Sequence, residues 1–530
     1  MMQTDRKLPV GIQSFEKLIE SHNLYVDKTE YIYRLVHTEV PYFLSRPRRF
    51  GKSLLLSAMK AYWEGKKELF QGLRLEELEQ ESQEAWQPYP IFYFDFNGKN
   101  YQNMQALETV LDGMLRDWEA KYQIEAEAGI EERFKKLLRT AAAYSGRKCV
   151  ILVDEYDKPL LETMGSQELV EHNKAVFKGF FSTLKSEDAS IRFVFITGVT
   201  KFSKLSIFSD LNQLSDISFD DDYAGICGIT EEELLYSFGP ELERMSEERS
   251  LTKEACIEKL RATYDGYHFS ANGVGVYNPY SLLTALMKRR FGSFWYETGT
   301  PTFLVHRLKE LDFDVRQFSN RKLQSTEALL SDYRSENPDP VPLLYQTGYL
   351  TIVDYTEDGV YTLGLPNEEV RYAFLQSLMP EYVEGYGSGT GKDIFALKRY
   401  MEAGDTDGIR RVLTALFAGI TYTTKETPFE HYFQTVIYIT LTLLGQYVQC
   451  EQHMANGRID CVIRTKQYIY IMEFKRDDSA ENALKQIEDT GYADPFVADP
   501  RTVYRIGVNF DSASRQLEGW KVADNVAQDL

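Results

Sequence analysis

The chain has 530 residues, of which 43% are hydrophobic and 26% are charged, a composition typical of folded proteins and not of disordered ones. It has no apolar run near the ~18 residues of a membrane helix and no signal peptide at its start, so we expect a cytoplasmic protein without a membrane span. The net charge of −20 argues against a protein that coats nucleic acid non-specifically, but it leaves room for a local basic groove or a metal site.

Strand-like and helix-like segments alternate over residues 1–225. The apolar runs that predict strands lie at residues 41–45, 91–96, 150–153 and 192–197, and a helix is predicted from Gly51 to about Trp63. Continuous apolar strands separated by helices indicate a parallel sheet that is covered on both faces. The predicted fold class of this first domain is therefore α/β.

The rest of the chain is predicted to contain three further parts. Residues 226–384 are mostly helical and end in a hairpin at 349–353 and 361–365, which is compatible with a small winged-helix module. A Gly-rich segment at 385–395 is predicted to be a linker. Residues 396–530 then predict a second α/β domain, with strands at 447–454, 458–464, 467–475 and 503–509 and a helix near 480–490.

A basic loop, RPRRFGKS at residues 46–53, joins the first predicted strand to the first long helix. In a phosphate-binding loop the backbone N–H groups face the phosphates, the lysine reaches the β- and γ-phosphate oxygens, and the hydroxyl binds Mg²⁺. Gly51, Lys52 and Ser53 fit this pattern. Arg46 stands where the usual pattern has its first glycine, so the alternative is a basic helix start with an incidental GKS.

Two carboxylates follow the apolar strand at 150–153 in the same α/β unit. Such a strand delivers Asp154 to the magnesium ion, and Glu155 is then placed to polarise the attacking water. Chance acidic residues at strand ends are common, but their combination with a GKS loop is not. The two motifs together predict binding of ATP with Mg²⁺.

Four segments resemble the AAA-ATPase-like family, whose members commonly carry a C-terminal PD-(D/E)XK nuclease domain: YVDKT at 25–29, SRPRRFGKS at 45–53, DEYDKP at 154–159 and ITGVTKFS at 196–203. The resemblance implies that an arginine in place of this glycine, as at Arg46, is usual in the family and is not a defect of the motif. It also places Thr197 where such ATPases have a polar sensor of the γ-phosphate, although a strand-end Thr that caps a turn is an equal alternative. Arg48 and Arg49 contact either a phosphate or a neighbouring subunit of a homo-oligomer, or else form a solvated basic loop.

A second set of acidic and basic residues lies in the C-terminal domain. Asp460 follows a predicted Asn456-Gly457 turn, and Glu473 and Lys475 end the next strand, where alternation puts both on one face. Two carboxylates and a lysine on one face give a site for one or two Mg²⁺ or Mn²⁺ ions, with the lysine placed to orient or deprotonate water. The segment resembles the PD-(D/E)XK nucleases, and the alternative is a solvated strand edge with a Glu–Lys pair.

Three more residues are candidates near this site. The resemblance implies that a helical Gln486 and the following Tyr492 assist the metal site. Glu430 is a possible further metal ligand from the preceding helix. The sequence Thr427-Pro428-Phe429-Glu430 is also a capping box, which explains the Glu without any metal.

These patterns predict an ATP-binding, ATP-hydrolysing protein coupled to a metal-dependent nuclease, with DNA favoured over RNA as its substrate. The family analogy suggests DNA metabolism or defence against mobile elements. The alternative is a nucleotide-controlled signalling or assembly switch whose C-terminal domain binds but does not cut. Intact Asp460, Glu473 and Lys475 favour the enzyme, whereas the net charge of −20 favours the switch.

Overall fold

A computed structural model of the chain divides it into two compact units, formed by residues 1–298 with 323–369 and by residues 299–322 with 370–530. The residues that the structure describes are 7–125, 129–201, 214–295, 304–305, 308, 311, 313–318, 323–331, 339–382, 390–418, 436, 438–440, 447–454, 457–511, 514 and 516–524. Among these, no helix has the length and apolar character needed to cross a membrane.

The first unit is built around a parallel five-stranded sheet, which confirms the α/β prediction. Its strands are β1 (Tyr42–Ser45), β2 (Ile91–Asp95), β3 (Cys149–Asp154), β4 (Ile191–Gly198) and β5 (Ser215–Asp216), in the spatial order β2-β3-β4-β1-β5. Ile196 of β4 pairs with Phe43 of β1 on one side and with Val153 of β3 on the other. The carboxyl ends of β1, β4 and β3 therefore adjoin one another.

The strands of this sheet are apolar because helices cover them, and all six residues of β3 are buried. Aromatic rings fill the space between sheet and helices, as where Phe134 and Phe180 stack with centroids 4.8 Å apart. The α-helices of the unit are Phe15–Glu20, Thr29–Val36, Lys52–Trp63, Arg74–Leu78, Ala106–Tyr122, Ile130–Ser145, Lys158–Glu162, Gln167–Ser186, Glu231–Ser237, Gly239–Arg249, Lys253–Tyr264, Pro279–Lys288, Glu327–Ser331 and Val341–Gln346.

The middle of the chain adds a three-stranded antiparallel sheet to the first unit. Its strands are β6 (Leu323–Thr326), β7 (Thr351–Tyr355) and β8 (Val360–Gly364), in the order β6-β8-β7. The succession of a strand, two short helices and a hairpin is compatible with the predicted winged-helix module. All six residues of the second short helix, Val341–Gln346, are buried.

The second unit contains a mixed five-stranded sheet in the order β13-β12-β11-β10-β9. Among these described strands β11 and β12 pair in parallel, and the other neighbours pair antiparallel. The strands are β9 (Tyr447–Met454), β10 (Gly457–Arg464), β11 (Tyr468–Arg476), β12 (Thr502–Asp511) and β13 (Gln516–Asp524). The α-helices Thr390–Ala403, Thr406–Ala418 and Ala480–Asp489 belong to this unit, and Glu368–Tyr382 spans the division between the two.

Two features of the second unit differ from the sequence analysis. The helix Thr390–Ala403 begins inside the segment 385–395 that was predicted to be a linker, while 385–389 lies outside the described residues. The last strand, β13, was not predicted at all, because its alternation includes charged residues and a glycine. The four-part domain division stays a prediction, since the two compact units divide the chain at other positions.

Candidate nucleotide and metal sites

The predicted phosphate loop connects β1 to the helix Lys52–Trp63 at the edge where the parallel strands end. Gly51 has φ = 100°, a left-handed conformation that a glycine adopts without strain, and it immediately precedes the helix. The first N–H groups of a helix have no partner within the helix, and they carry partial positive charge. Ser53, the second helical residue, is half-buried at this end. The loop therefore has the geometry of an anion-binding helix start.

Lys52 is almost completely buried within this loop. Its Nζ donates to the carbonyl oxygens of Arg46 at 2.9 Å and of Pro47 at 3.1 Å. An ammonium group carries three donors and no acceptor, so two loop carbonyls satisfy most of its capacity. The lysine that is expected to meet the β- and γ-phosphates is thus held on the main chain of its own loop.

Arg46 occupies the position where the usual phosphate loop has a glycine. Its side chain is only 1% exposed, and burial lowers the pKa of its guanidinium. The guanidinium donates to the carbonyl oxygens of Ser45 and Ser218, both at 2.9 Å, and of Tyr223 at 3.1 Å. Its central carbon also lies 4.2 Å from the centroid of the Phe269 ring. This arginine thus has a defined place in the fold, which the sequence pattern did not indicate.

Arg48 and Arg49 lie in different surroundings. Arg48 is half-buried, and its carbonyl accepts a hydrogen bond from the indole N–H of Trp295 at 3.1 Å. Arg49 is exposed, and its guanidinium carbon lies 3.9 Å from the centroid of the Tyr280 ring. A cation–π contact accounts for the position of Arg49 without a phosphate. A role for either arginine in phosphate binding stays a prediction.

Asp154 ends β3 and is 2% exposed. Its Oδ1 accepts a hydrogen bond from the hydroxyl of Thr197 at 2.9 Å, and its Oδ2 lies 3.4 Å from the hydroxyl of Tyr93. Because β4 lies between β1 and β3, Thr197 is brought to the carboxylate at the centre of the sheet edge. In the structure the Thr197 hydroxyl thus fixes the carboxylate, and a contact of Thr197 with the γ-phosphate stays a prediction.

Glu155 has φ = 49°, a left-handed conformation that is uncommon for a residue with a side chain. It is half-buried, and burial raises the pKa of its carboxyl group, an effect that the charge of Lys52 partly opposes. Strained backbone of this kind is often found at functional sites. The conformation turns the chain directly after Asp154, and the charge of Lys52 reaches the Glu155 carboxyl group.

The sequence pattern does not indicate the part that Asp157 plays. This buried carboxylate accepts hydrogen bonds from the N–H of Val199 and from both the N–H and the hydroxyl of Thr200, the latter two at 2.6 Å. A Cβ at Gly198 would lie 2.6 Å from the Tyr156 ring, so only glycine fits there. The DEYDKP and ITGVTK segments therefore form one interlocked unit, a pairing that spacing alone could not reveal.

An apolar pocket that is partly open to solvent lies beside the phosphate loop. Gly51 and Leu54 line it from the loop side, Val26 lines it from the N-terminal segment, and Ile229 and Phe238 line it from the helical part that follows β5. Cofactor sites are typically apolar clefts with a few polar groups at one end. The apolar lining beside Gly51 is of the kind that accepts a ring system, so the pocket is a candidate position for the base of a nucleotide.

The predicted metal site forms on neighbouring strands of the second unit. Cys461 of β10 pairs with Met472 of β11, so Asp460 and Glu473 are the next opposed positions in the same register. The N–H of Phe474 donates to Asp460 Oδ2 at 2.9 Å, and Glu473 is 3% exposed. Two carboxylates on one face are oxygen donors of the kind that Mg²⁺ and Mn²⁺ prefer. The donor set fits the expected metal, which would be held by Asp460 and Glu473.

Gln486 joins the other predicted residues of this site. Its side-chain nitrogen donates to Glu473 Oε1, and its side-chain oxygen accepts a hydrogen bond from Nζ of Lys475. The helix Ala480–Asp489 reaches this position because Gly507 of β12 has no side chain, and a Cβ there would lie 2.1 Å from the Ala480 carbonyl oxygen. The structure thus joins Gln486 to Glu473 and Lys475, which were predicted as a pair on one face.

Two further candidates have other outcomes. Tyr492 is 2% exposed and packs in the hydrophobic core of the second unit with Ile459, Ile471 and Ile487. Glu430 lies outside the described residues, so its role as a metal ligand stays a prediction. Within the described part of the chain, no group of three or more His, Cys, Asp or Glu side chains is arranged to hold a metal ion.

Comparisons with known proteins match both regions. A family model described as "Predicted AAA-ATPase" matches residues 9–208, and a model of the PD-(D/E)XK nuclease superfamily matches residues 428–520. The chain is 35% identical over 530 residues to "Uncharacterized protein in vnfD 5'region" from Azotobacter chroococcum mcd 1, in an alignment that covers 98% of this chain and 99% of that relative. No solved structure matches the chain.

Proposed function

Because the chain belongs to the AAA-ATPase-like family and carries a PD-(D/E)XK nuclease superfamily domain, we propose that it hydrolyses ATP and cleaves nucleic-acid phosphodiesters. The first activity belongs to the loop at residues 46–53 and the carboxylates that follow β3. The second belongs to Asp460, Glu473 and Lys475, with DNA as the favoured substrate. The observation that carries the nuclease half is the hydrogen-bonded chain Glu473–Gln486–Lys475 beside Asp460.

At the nucleotide site, the apolar pocket would receive the base, and the helix start after Gly51 would receive the phosphates. Lys52 would exchange its two loop carbonyls for phosphate oxygens, which are stronger acceptors because they are charged. Ser53 and Asp154 would hold Mg²⁺, which neutralises charge that develops on the phosphates. Glu155 would orient the attacking water, and Thr197 would keep the Asp154 carboxylate in position.

At the metal site, Asp460 and Glu473 would hold one or two divalent ions, which stabilise the charge of the transition state. Gln486 fixes one oxygen of Glu473 and the ammonium group of Lys475 together. This arrangement would keep Lys475 aimed at the attacking water or at the phosphate oxygen. Lys475 is an ammonium donor and not a ligand, so its loss should reduce turnover more than metal binding.

The test is an assay of the purified full-length protein on plasmid, single-stranded DNA and RNA, with and without ATP and Mn²⁺. We expect Asp460→Ala to lower cleavage about a thousandfold, since a bound metal contributes several kcal/mol to the transition state. We expect Lys52→Ala to weaken ATP binding tenfold to a hundredfold, by about 1.5–3 kcal/mol for a charged hydrogen-bonding group. Glu155→Gln should retain ATP binding and lose hydrolysis.

Matched controls are available for both sites. Lys135→Ala removes a lysine that is paired with Glu132 on a helix away from the phosphate loop, and Asp499→Asn removes a carboxylate that pairs with Arg501 in the second unit. Both variants should behave as wild type in these assays. Cleavage that survives in the Asp460→Ala protein, or unchanged ATP affinity in the Lys52→Ala protein, would contradict the corresponding assignment.

A nucleotide-controlled switch is the second candidate, and the net charge of −20 favours it because cleavage requires the approach of a polyanion. In that case ATP would change the assembly state of the chain, while no nucleic acid would be cut with any metal. ATP should also alter cleavage in the enzyme, through different affinities for two arrangements of the protein. Loss of this ATP effect in Lys52→Ala, with basal cleavage retained, would distinguish a coupled enzyme from two independent activities.

A further inference from the structure

The side chain of Arg46 binds the phosphate loop to segments that are remote in sequence. Two of the three carbonyl oxygens that accept its hydrogen bonds belong to Ser218 and Tyr223, which follow β5, and the ring under its guanidinium belongs to Phe269. Phe50, at the other end of the loop, packs edge-on against the same Phe269 ring with centroids 5.5 Å apart. Both ends of the loop are therefore held by contacts with the Phe269 ring.

Among the described residues no salt bridge joins the buried Arg46 to a carboxylate, although the negative charge of Asp216 is close enough to act on its guanidinium. Its hydrogen-bonding acceptors are all main-chain carbonyls. A buried cation costs several kcal/mol in desolvation, and carbonyl dipoles repay less of that cost than a carboxylate does. Such a charge in the core is difficult to explain as a stabilising element alone. It does raise the electrostatic potential at the adjoining loop, where an anion is expected.

The backbone of Arg46 also contacts the loop lysine, Lys52. Nζ of Lys52 donates to the Arg46 carbonyl at 2.9 Å, while the Arg46 N–H donates to the carbonyl of Gly198, at the end of β4, at 3.1 Å. Arg46 therefore connects the lysine, the strand that carries Thr197 and the segment after β5. Any change in the position of its backbone would move the lysine with it.

We propose that Arg46 is a positioning residue of the phosphate loop, which its side chain holds in the conformation that binds phosphate. In an ordinary phosphate loop the glycine at this position lets the backbone approach the phosphates because it has no side chain. Here the contacts of the arginine side chain would hold the backbone of the loop in place. It follows that restoring the usual glycine should impair the loop. The inference rests on the proposed nucleotide function and adds a residue to that site.

The experiment compares the affinities of the full-length protein for ATP and for AMP, measured by titration calorimetry, in Arg46→Gly and Arg46→Lys. AMP lacks the β-phosphate that the loop is expected to hold, so the ATP/AMP affinity ratio reports on the loop itself. We expect this ratio to fall at least about tenfold in Arg46→Gly, and Arg46→Lys to recover part of the loss because it retains a cation.

Arg192 provides a matched control in the same sheet. Its guanidinium also donates to two main-chain carbonyls, of Val36 and Thr38, and lies 5.8 Å from an aromatic ring centroid, at the opposite edge from the loop. Arg192→Ala should lower the melting temperature without changing the ATP/AMP ratio. If Arg46→Gly does not fold, Phe269→Leu removes the ring beneath the guanidinium and should lower the ratio severalfold.

The outcomes separate this inference from the function on which it rests. An Arg46→Gly protein with the wild-type ATP/AMP ratio, while Lys52→Ala loses ATP binding, would overturn the positioning role and leave the nucleotide site standing. Equal loss of ATP and AMP affinity in Arg46→Gly would also overturn it, since that is the result of a general structural defect. A wild-type protein that binds no nucleotide would overturn the proposed function and this inference together.

Discussion

The two candidate sites hold a lysine in different ways. Lys52 is bound by two main-chain carbonyls of its own loop, whereas Lys475 is bound by the side chain of Gln486. A main-chain acceptor survives any substitution at its position, but a side-chain acceptor is lost with a single mutation. The position of Lys52 should therefore depend on the residues that hold the backbone of its loop in place. The position of Lys475 should depend on the side-chain amide of Gln486.

The sites also differ in the sequence distance that they span. Arg46, Asp154 and Thr197 come from three strand ends, and they meet only because β4 lies between β1 and β3. The metal site is assembled from one hairpin and the helix that follows, between Asp460 and Gln486. A site that spans many elements is sensitive to substitutions far along the chain, while a local site is sensitive mainly to its own residues.

The largest effect that follows from this comparison is expected at Gln486. Gln486→Ala removes the acceptor for Lys475 and the donor to Glu473, and outer groups of this kind typically contribute about 10–100-fold to metal affinity or activity. We expect cleavage to fall by that factor, with an increase in the metal concentration that gives half-maximal activity. The measurement is plasmid cleavage over a range of Mn²⁺ concentrations.

Asn482→Ala is the control, since this residue lies on the exposed part of the same helix and its side chain donates to Asp478. It should leave cleavage and metal dependence unchanged. If the Gln486→Ala protein cleaved DNA as well as the wild type, the position of Lys475 would not depend on a side-chain partner. That result would contradict the contrast drawn between Lys52 and Lys475.

A smaller effect is expected at Thr197 in the nucleotide site. Thr197→Val keeps the shape of the side chain but removes the hydroxyl that donates to Asp154, and a hydrogen bond to a charged group contributes about 1.5–3 kcal/mol. The Tyr93 hydroxyl lies near the second oxygen of Asp154 and would still hold the carboxylate in part. We therefore expect the lower end of this range, which corresponds to a loss of about tenfold in the rate of ATP hydrolysis. The measurement is phosphate release at saturating ATP.

Thr183→Val is the matched control for Thr197. Thr183 is also buried, but its hydroxyl donates to the Phe180 carbonyl within the same helix. Its replacement should change hydrolysis little. Equal losses in the two variants would mean that a buried hydroxyl is needed for folding and that Thr197 has no particular part in holding the carboxylate.

The sequence predicted most of the fold because the strands of the first unit are continuous apolar runs and the hairpin of the second contains a clear turn signal. It did not predict β13 or the order of the parallel strands, since pairing between remote strands leaves no local pattern. For the same reason Asp157 was overlooked, although its motif was recognised. Its partners at Val199 and Thr200 are identified only by three-dimensional contact.

The sequence indicated some residues of the candidate sites but not the contacts that hold them in place. Lys52, Asp154, Asp460, Glu473 and Lys475 could be selected from residue type and spacing. A GKS loop in the same α/β unit as a strand-end carboxylate is an uncommon combination, and so are two carboxylates and a lysine on one face. The role of Arg46 could not, since a basic residue in a basic loop suggests solvent and not a core. The link that Gln486 makes between Glu473 and Lys475 likewise required the packing of a helix at Gly507.

The smallest expected effect is on stability and concerns Asp499, a carboxylate outside both candidate sites that is bound by an arginine side chain. Arg501 binds Asp499 through two hydrogen bonds, of 2.8 and 2.6 Å, and this lowers the pKa of Asp499 from 3.8 to about 2. A carboxyl group whose pKa is lower in the folded state stabilises the fold above its ordinary pKa, and this stabilisation is lost as the pH falls towards the folded value. Since the pair is partly solvated, we expect Asp499→Asn to cost at most about 1 kcal/mol near neutral pH. Urea unfolding should show this difference at about pH 6 and a smaller one at about pH 3, whereas a difference that grew on acidification would assign the stabilisation to other groups.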